Sequence, residues 1–381
     1  MKILILTAAT GGGHLRASRA IQSYVLQNTS GNEVEVEDAM KNIGAAVDKT
    51  ICGGYHFLAT KTPALFGHFY RRTNKDSSLS NLVLRFSGTY AKKLLPLIEG
   101  HAPDIIISTH PFVTEMISFL KGSGMVSVPL ICLMTDYGPH KAWIAKNVDA
   151  YVVSNEGMVP KMEEMGVPKG KIYPFGIPVE NVFFTRSDKE ALQKRFGLTP
   201  GLPVVLIMAG SFGVSKVLKI YRQIAHSEAD FQIVVITGRN KRLYGVFQRR
   251  IKDSPKKTKL IFFTNEVENY MQASDLLVTK PGGLTVSEAL ACNIPMAVFD
   301  AIPGQEEDNA DFLLSHHMAV KLEKDTDGGE VVGRLLKDSA KLSGMRSSCK
   351  GFDKSHSAEN ILSLINILYA KSEHGDKKQN Y

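Results

Sequence analysis

The sequence predicts an α/β protein with two doubly wound, Rossmann-like domains that face each other across a cleft. Two series of strand-length apolar runs alternate with helical segments along the chain, and glycine-rich loops follow several of these runs. The runs lack an apolar–polar alternation, which is typical of parallel strands buried on both faces. A length of 381 residues also exceeds what one hydrophobic core usually organises, so two domains are expected.

A stretch rich in proline and glycine at residues 174–178 separates the two series of apolar runs. The runs of the first series lie at residues 2–7, 104–108, 128–134 and 150–153. The runs of the second series lie at residues 204–208, 231–236, 259–262, 275–278 and 295–299. The expected units are an N-terminal domain at 1–178, a C-terminal domain at 179–355, a helix at 356–372 that returns to the first domain, and a polar tail at 373–381.

The composition is that of a globular protein with a basic surface. Lysine and arginine number 46 against 38 aspartates and glutamates, a net charge of +8 that suits nucleic acid, an anionic membrane or an anionic small substrate. No apolar stretch approaches the roughly 20 residues of a spanning helix. The first apolar run leads directly into a glycine loop, so it is interpreted as a strand rather than a signal peptide, and a cytoplasmic protein is expected. The four cysteines have no metal-type spacing, which indicates packing roles in a reducing compartment.

A loop with three consecutive glycines and His14 joins the first strand to a helix. Glycines before a helix let a ligand approach the backbone at the positive helix end, although a tight turn alone would use the same residues. The helix terminus disfavours a protonated imidazole, so a neutral His14 is suited to accept a proton from a hydroxyl. A capping or packing histidine is the alternative interpretation.

Two loops of the second domain indicate a phosphorylated ligand. Gly210, Ser211 and Gly213 follow a strand and precede a helix, and Gly238 and Arg239 follow the next strand. The carboxyl ends of parallel strands meet at one edge of the sheet, where α/β proteins bind ligands. Backbone amides of the first loop are suited to hold a diphosphate. Either loop alone is weak evidence, whereas the two together favour such a ligand.

The densest group of polar and glycine residues lies at 279–309. Gly283 follows a strand end, Thr285 is placed to cap the next helix, and Glu288 lies one turn further along, where its carboxylate suits two ribose hydroxyls. The loop that follows carries Gln305 and Glu306, whose side chains suit the hydroxyls of a sugar. Two capped helices without a ligand are the alternative interpretation.

Several motifs occur in the order typical of one known family. They are Gly-Gly-Gly-His at 11–14, Thr135-Asp136 followed by His140 and Trp143, Thr-Asn-Glu-Val at 264–267, Lys-Pro-Gly-Gly-Leu-Thr at 280–285 and Pro-Gly-Gln-Glu-Glu-Asp-Asn at 303–309. From residue 1 to about 315 the chain resembles the processive diacylglycerol glucosyltransferases and the plant monogalactosyldiacylglycerol synthases. The resemblance implies the GT-B fold and an inverting transfer that makes a β-glycoside from a UDP-α-sugar.

The resemblance also implies roles for individual residues. His14 would lie beside the reacting groups, with Asp136 as a supporting or rival base. Glu288 would hold the ribose, and Gln305 and Glu306 would hold the donor sugar. The rest of the implied donor site is Gly210, Ser211, Gly213, Gly238, Arg239, Phe263, Val267, Gly282, Gly283, Leu284 and Thr285. The implied acceptor side includes Gly13, His140 and Trp143.

No metal or other cofactor is expected. Asp325 and Asp327 spell an Asp-x-Asp motif, but two glycines follow them, which is typical of a solvated turn. Helix-end amides and cations are suited to stabilise a leaving diphosphate, so a GT-B transferase requires no metal.

Residues 61–95 predict a membrane-binding surface. This segment carries seven basic residues against one acid, with aromatic residues between them. Basic side chains are attracted to an anionic leaflet, and aromatic rings sit among the headgroups. Two core-packed helices with a charged outer face are the alternative interpretation. A basic and aromatic surface also suits single-stranded RNA, but no RNA-binding motif accompanies this segment. The residues expected to contact membrane or acceptor here are Phe66, Phe69, Tyr70, Arg71 and Arg72.

The predicted activity is the transfer of a hexose from a UDP-sugar to diacylglycerol or a glycosyl-diacylglycerol at the cytoplasmic face of the cell membrane. UDP-glucose is the preferred donor and UDP-galactose the other candidate. No nucleic-acid partner is expected, and the oligomeric state is not readable. Two alternatives remain: an enzyme like the UDP-N-acetylglucosamine 2-epimerases, and a non-catalytic membrane-surface protein that binds a UDP-sugar.

Overall fold

The structure, a computed structural model, describes residues 1–8, 12–44, 88, 90–209 and 214–379. Within these residues the chain forms two parallel β-sheets covered by helices, which confirms the predicted α/β fold. No helix in the described ranges is long and apolar enough to cross a bilayer.

The first sheet has strand order β2-β1-β3-β4-β5-β6, and all its neighbouring strands are parallel. Its strands are β1 (Lys2–Thr7), β2 (Glu33–Asp38), β3 (Ile105–Ser108), β4 (Leu130–Leu133), β5 (Ala150–Val152) and β6 (Ile172–Tyr173). Every residue of β3, β4 and β5 is buried, as expected of central parallel strands. The strand order reverses between β1 and β3, so a crevice opens where these two strands end.

The helices of this half pack on both sides of the sheet. They are α1 (Gly13–Asn28), α2 (Ala39–Ile43), α3 (Leu95–His101), α4 (Pro111–Gly122) and α5 (Met158–Glu164). Ala17, Ile21 and Val25 follow one another at four-residue spacing and are fully buried, so α1 presents one apolar face to the core.

The second sheet has strand order β12-β11-β10-β7-β8-β9 and is also parallel throughout. Its strands are β7 (Val204–Met208), β8 (Gln232–Ile236), β9 (Thr258–Ile261), β10 (Leu276–Thr279), β11 (Met296–Val298) and β12 (Ala319–Lys321). Here the order reverses between β7 and β10, so the second crevice lies at the ends of these two strands.

Several helices of the second half of the chain begin at residues whose side chains cap them. The helices of this half are α6 (Lys189–Arg195), α7 (Val214–Ala225), α8 (Lys241–Arg250), α9 (Val267–Gln272), α10 (Gly283–Ala291), α11 (Gln305–Ser315), α12 (Gly328–Lys337), α13 (Ser339–Gly351) and α14 (Ser357–Gln379). Asp188 accepts a hydrogen bond from the Ala191 amide at 2.6 Å, and Asn240 accepts one from the Leu243 amide at 3.0 Å. These caps satisfy amides that have no partner inside the helix.

The last helix ties the end of the chain to the first half. It packs against α1, and the Ser357 hydroxyl donates a hydrogen bond to the Gly176 carbonyl at 2.8 Å. The helix ends at Gln379 rather than at residue 372, because no proline interrupts its sequence. Helices α1 and α10 also contact each other, so the two sheets share an interface next to both crevices.

Replacement of Ile21 by Ala is expected to lower the free energy of unfolding by about 2–5 kcal/mol, because it empties space in a close-packed core. Leu26 on the same helix is 50% exposed, so Leu26→Ala is the matched control and should cost about 0.5 kcal/mol or less. Urea unfolding measures both. Equal costs at the two positions would contradict the packing of α1.

Candidate active site

His14 lies where the ends of β1, β3 and β4 converge. These strands are neighbours in the sheet, so the loops that follow them meet at one edge. The Nδ1 atom of His14 shares a hydrogen bond of 3.0 Å with the Thr135 hydroxyl, which follows β4. Its ring centroid is 5.0 Å from that of His110 and 6.2 Å from that of Trp143. The fold therefore brings together two of the predicted residues, His14 and Trp143. It also places Thr135 and His110 beside His14.

Burial lowers the pKa of His14 to about 4, and a hydrogen bond with the Thr109 backbone only partly opposes this effect. The imidazole is therefore neutral near pH 7, as the sequence predicts for a histidine at this position. A neutral ring keeps one nitrogen lone pair and can accept a proton from a hydroxyl placed beside it.

His110 is a residue that the sequence analysis missed. It precedes α4, is 5% exposed, and its Nδ1 atom has no hydrogen-bond partner among the described atoms. Burial and the neighbouring His14 lower its pKa well below the usual value. The signal was the polar pair Thr109-His110 directly after β3, at the same sheet edge as the glycine loop.

Asp136 is buried between the two halves of the chain. Its Oδ1 atom accepts a hydrogen bond of 2.9 Å from the Gln305 side chain, so these two predicted residues are in contact. Burial raises the pKa of Asp136 to about 6, while hydrogen bonds from Gln305 and Trp143 lower it and the charge of Asp308 raises it. Asp136 directly follows Thr135, whose hydroxyl contacts the His14 imidazole, and its own carboxylate contacts Gln305 of the second half.

The loop after β4 docks against α10 and α11 of the second half. The Tyr137 amide donates to the Asn309 side chain at 2.7 Å, and that side chain donates to the Pro281 carbonyl at 2.9 Å. The Tyr137 hydroxyl shares a 2.9 Å hydrogen bond with Ser287. Gly283 makes this approach possible, because a Cβ atom there would lie 1.9 Å from a backbone carbonyl oxygen of the loop.

Glu288 lies inside this interface on α10 and is 2% exposed. One carboxylate oxygen is 2.8 Å from the guanidinium of Arg16 on α1, and the other has no partner among the described atoms. Burial raises the pKa of Glu288 to about 7, and Arg16 opposes this rise. A buried carboxylate oxygen without a partner is a candidate acceptor for a ligand hydroxyl.

The start of α10 differs in one respect from the sequence prediction. Its N-cap is Gly282, and Thr285 is the third residue of the helix, so Thr285 does not cap it. Gly282 and Gly283 turn the chain into the helix, and Leu284 is buried against the start of α1 beside Gly13. The first turn of α10 therefore points its amides toward the interface between the sheets.

The other predicted donor residues lie around the ends of the second sheet. Phe263 is 46% exposed, and the guanidinium of Arg239 lies 4.7 Å from its ring centroid. Gly238 has a positive φ of 60°, and Val267 begins α9. Glu306 accepts a hydrogen bond from the Ile302 amide at 2.7 Å and has an oxygen 3.9 Å from the Lys280 ammonium. An exposed aromatic ring beside these groups can stack on a planar base.

His140 is 3% exposed and accepts a hydrogen bond of 3.0 Å from the Ala142 amide, so it caps the short 3₁₀ turn Lys141–Trp143. Its contribution is to the shape of the loop that carries Trp143. Gly210, Ser211 and Gly213 lie outside the described residues, as do Phe66, Phe69, Tyr70, Arg71 and Arg72, and their predicted roles stay predictions.

Neither crevice gathers a cluster of metal-ligating side chains within the described residues. The group with suitably close ligand atoms is Glu35, Glu37 and His101, on β2 and α3. Asp327 of the Asp-x-Asp motif caps α12 by accepting a 2.7 Å hydrogen bond from the Gly329 amide.

Comparison with known proteins places these features in one family. Residues 14–179 match the family model for monogalactosyldiacylglycerol synthase, and residues 204–349 match that for the C-terminal domain of glycosyltransferase family 28. The chain is 30% identical to a processive diacylglycerol beta-glucosyltransferase of Bacillus pumilus, over 96% of this chain and 94% of that protein.

Two solved structures share the fold. One is MurG of Acinetobacter baumannii, with a TM-score of 0.62 and 12% identity over 96% of this chain and 99% of that one. The other is the UDP-GlcNAc 2-epimerase of Neisseria meningitidis, with a TM-score of 0.60 and 14% identity over 96% and 99% of the two chains. Because an epimerase shares this fold, the fold alone does not identify the activity of this chain. The sequence relatives indicate the activity instead.

Replacement of Gly283 by Ala is expected to force the two halves of the chain apart, because the added Cβ collides with backbone rather than with a movable side chain. The expected result is a lower melting temperature and a larger radius of gyration. Gly282→Ala is the matched control, since a Cβ there meets nothing within 4 Å. Calorimetry and small-angle X-ray scattering measure these effects, and two variants that both behave like the unmodified protein would refute the close contact.

Proposed function

This chain belongs to the family of the processive diacylglycerol β-glucosyltransferases and is a glycosyltransferase, and we propose that it moves glucose from UDP-glucose to diacylglycerol or a glycosyl-diacylglycerol. The observation that carries the proposal is the buried His14 at the crevice of one sheet, directly after Gly13, which lies against Leu284 in the glycine-rich helix start at the crevice of the other. The enzyme alternative of a UDP-N-acetylglucosamine 2-epimerase shares the fold but is not supported by the sequence relatives.

The donor is proposed to bind at the carboxyl edge of the second sheet. The free oxygen of Glu288 accepts a ribose hydroxyl, and the ring of Phe263 stacks on the uracil. Gln305 and Glu306 face the sugar. The amides at the start of α10 and the nearby Lys280 ammonium favour the negative diphosphate, together with the predicted contribution of the loop at 210–213.

The proposed reaction is a single displacement with inversion. The acceptor hydroxyl oxygen attacks the anomeric carbon and forms the new C–O bond while the bond from that carbon to the diphosphate oxygen breaks. The hydroxyl proton passes to the His14 imidazole, and UDP leaves with the electron pair of the broken bond. Asp136, which directly follows Thr135 in the loop that contacts His14, is the rival acceptor of the proton.

Charge stabilisation of the leaving group is proposed to come from the protein. The amides at the start of α10 provide positive potential, and the Lys280 ammonium, which lies 3.9 Å from carboxylate oxygens of Asp300 and Glu306, adds a cation beside them. We therefore propose that turnover needs no metal ion and persists in EDTA.

The acceptor is proposed to enter from an anionic membrane surface at the cytoplasmic face of the cell membrane. The support is the basic and aromatic composition of residues 61–95, most of which lie outside the described residues, and the lipid named in the relatives' activity.

The test follows radiolabel from UDP-glucose, or from UDP-galactose in parallel, into lipid in vesicles that contain diacylglycerol and an anionic phospholipid. Label is expected in a β-glycolipid, and His14→Ala should reduce turnover by about a hundredfold or more, as removal of a general base does. His226→Ala is the control, since His226 is an exposed histidine directly after the end of α7. UDP release with an altered free sugar and no labelled lipid would overturn the proposal.

The pH dependence of kcat distinguishes His14 from Asp136. The deprotonated base is the active form, so kcat rises with pH through the pKa of the group that accepts the proton. With His14 the plateau should extend down toward pH 4, whereas Asp136 would end it near pH 6. The donor is kept at a saturating concentration, so an effect of Glu288 titration on donor affinity does not alter the pH profile of kcat. A plateau that ends near pH 6 in the unmodified enzyme and moves in Asp136→Asn would assign the role to Asp136.

A further inference from the structure

Arg16 is a charged residue of the interface that the proposed reaction does not use. It lies on α1, two residues after His14, and its guanidinium is 2.8 Å from one oxygen of Glu288 on α10. The Glu288 side chain is 3% exposed, whereas that of Arg16 is 43% exposed. The ion pair therefore crosses from the half of the chain that carries His14 to the half that carries the ribose-binding candidate.

The surroundings of Glu288 otherwise disfavour a negative charge. Burial raises its pKa to about 7, and the acidic groups of Glu180 before α6 and Glu268 on α9 raise it further. Cys292, one turn beyond Glu288 on its own helix, is a buried thiol whose pKa is raised to about 12, so it is neutral. Arg16 is the cation that opposes these influences. Loss of Arg16 would therefore leave Glu288 protonated at neutral pH.

The protonation state of Glu288 matters for a ribose. A carboxylate accepts hydrogen bonds from two neighbouring hydroxyls, while a protonated carboxyl group replaces one acceptor with a donor. Arg16 contacts one oxygen of Glu288, and the other oxygen has no partner among the described atoms. The pair therefore leaves one buried carboxylate oxygen that can accept a hydrogen bond. Hydrogen bonds to a charged acceptor are also stronger than those to a neutral one.

We propose that Arg16 is a positioning residue that keeps Glu288 ionised for the donor ribose, and that it does so only while α1 is held against α10. The proposal rests on the proposed function, because it assigns the ribose to Glu288. Its consequence is that the half of the chain that binds the acceptor sets the affinity of the other half for the nucleotide. Closure of the cleft and donor binding thereby strengthen each other.

The contact between Arg16 and Glu288 also allows Arg16 the opposite effect on donor binding. If the ribose had to displace Arg16 from Glu288, the guanidinium would compete with the donor, and its removal would tighten binding at every pH. If the pair only holds the two halves together, its removal would weaken binding more at pH 9, where Glu288 is ionised and the pair is formed, than at pH 6. The pH dependence of nucleotide affinity separates these cases.

The experiment is calorimetric titration of UDP into the full chain at pH 6, 7 and 9, for the unmodified protein and for Arg16→Gln. An opposite charge in contact lowers a carboxyl pKa by about 1–3 units, so Arg16→Gln should weaken UDP binding about fivefold or more at pH 7 and by a clearly smaller factor at pH 9, where Glu288 is more fully ionised. Arg16→Lys keeps the charge and should restore most of the affinity at pH 7. Arg19→Gln is the control, since Arg19 is an exposed residue of the same helix.

Two further measurements complete the test. Glu288→Gln should bind UDP weakly with no rise in affinity between pH 6 and pH 9, and in lipid transfer assays Arg16→Gln should raise the donor KM more than it lowers kcat. Equal or tighter UDP binding by Arg16→Gln at pH 7, or weakening at pH 9 that is at least as large as at pH 7, overturns this inference while leaving the transferase proposal intact. Failure of the unmodified protein to bind UDP at any pH overturns both.

Discussion

The contact between the Thr135 carbonyl and the start of α10 is the constraint on which the rest of the cleft depends. Gly283 has no side chain at the one point where a Cβ would lie 1.9 Å from that oxygen, so the two halves approach to backbone contact. The approach places the Tyr137 amide on Asn309 and the Asp136 carboxylate on Gln305. The same loop holds His14 through the Thr135 hydroxyl, so one contact positions groups from both sheets.

Exclusion of water by this contact determines the electrostatics of the site. The pKa of His14 falls to about 4, while the pKa values of Asp136 and Glu288 rise to about 6 and about 7, in each case chiefly because burial disfavours the charged form. His14 is therefore neutral near pH 7, and the electrostatic field in the site comes from the carboxylates and from the cations beside them. Such charges act more strongly here than in water, because the surroundings screen them less.

The two halves of the chain share a topology but divide the chemistry. In the first sheet, histidines and hydroxyls collect where β1, β3 and β4 end, and they are suited to accept or relay a proton. In the second sheet, a glycine-rich helix start and a carboxylate follow β10, an exposed aromatic ring follows β9, and these groups are suited to a nucleotide. His14 and the start of α10 each lie at the point where a strand order reverses, which is where open parallel sheets leave a crevice. Arg16 and the loop after β4 join the two sets.

The amino-acid pattern by itself determined the two parallel sheets, and it identified His14 and Glu288 as candidates, because apolar runs and the glycine loops after them are local features. Asp136 became a candidate only through the resemblance to a known family. It misplaced the cap of α10 on Thr285, since a side chain that can cap a helix does not show where the helix begins. Only the tertiary structure decided that His110 lies beside His14, that Arg16 meets Glu288, and that Thr135, 121 residues from His14, shares a hydrogen bond with it. These contacts depend on how strands pair and how two sheets pack against each other, and no local spacing encodes that arrangement.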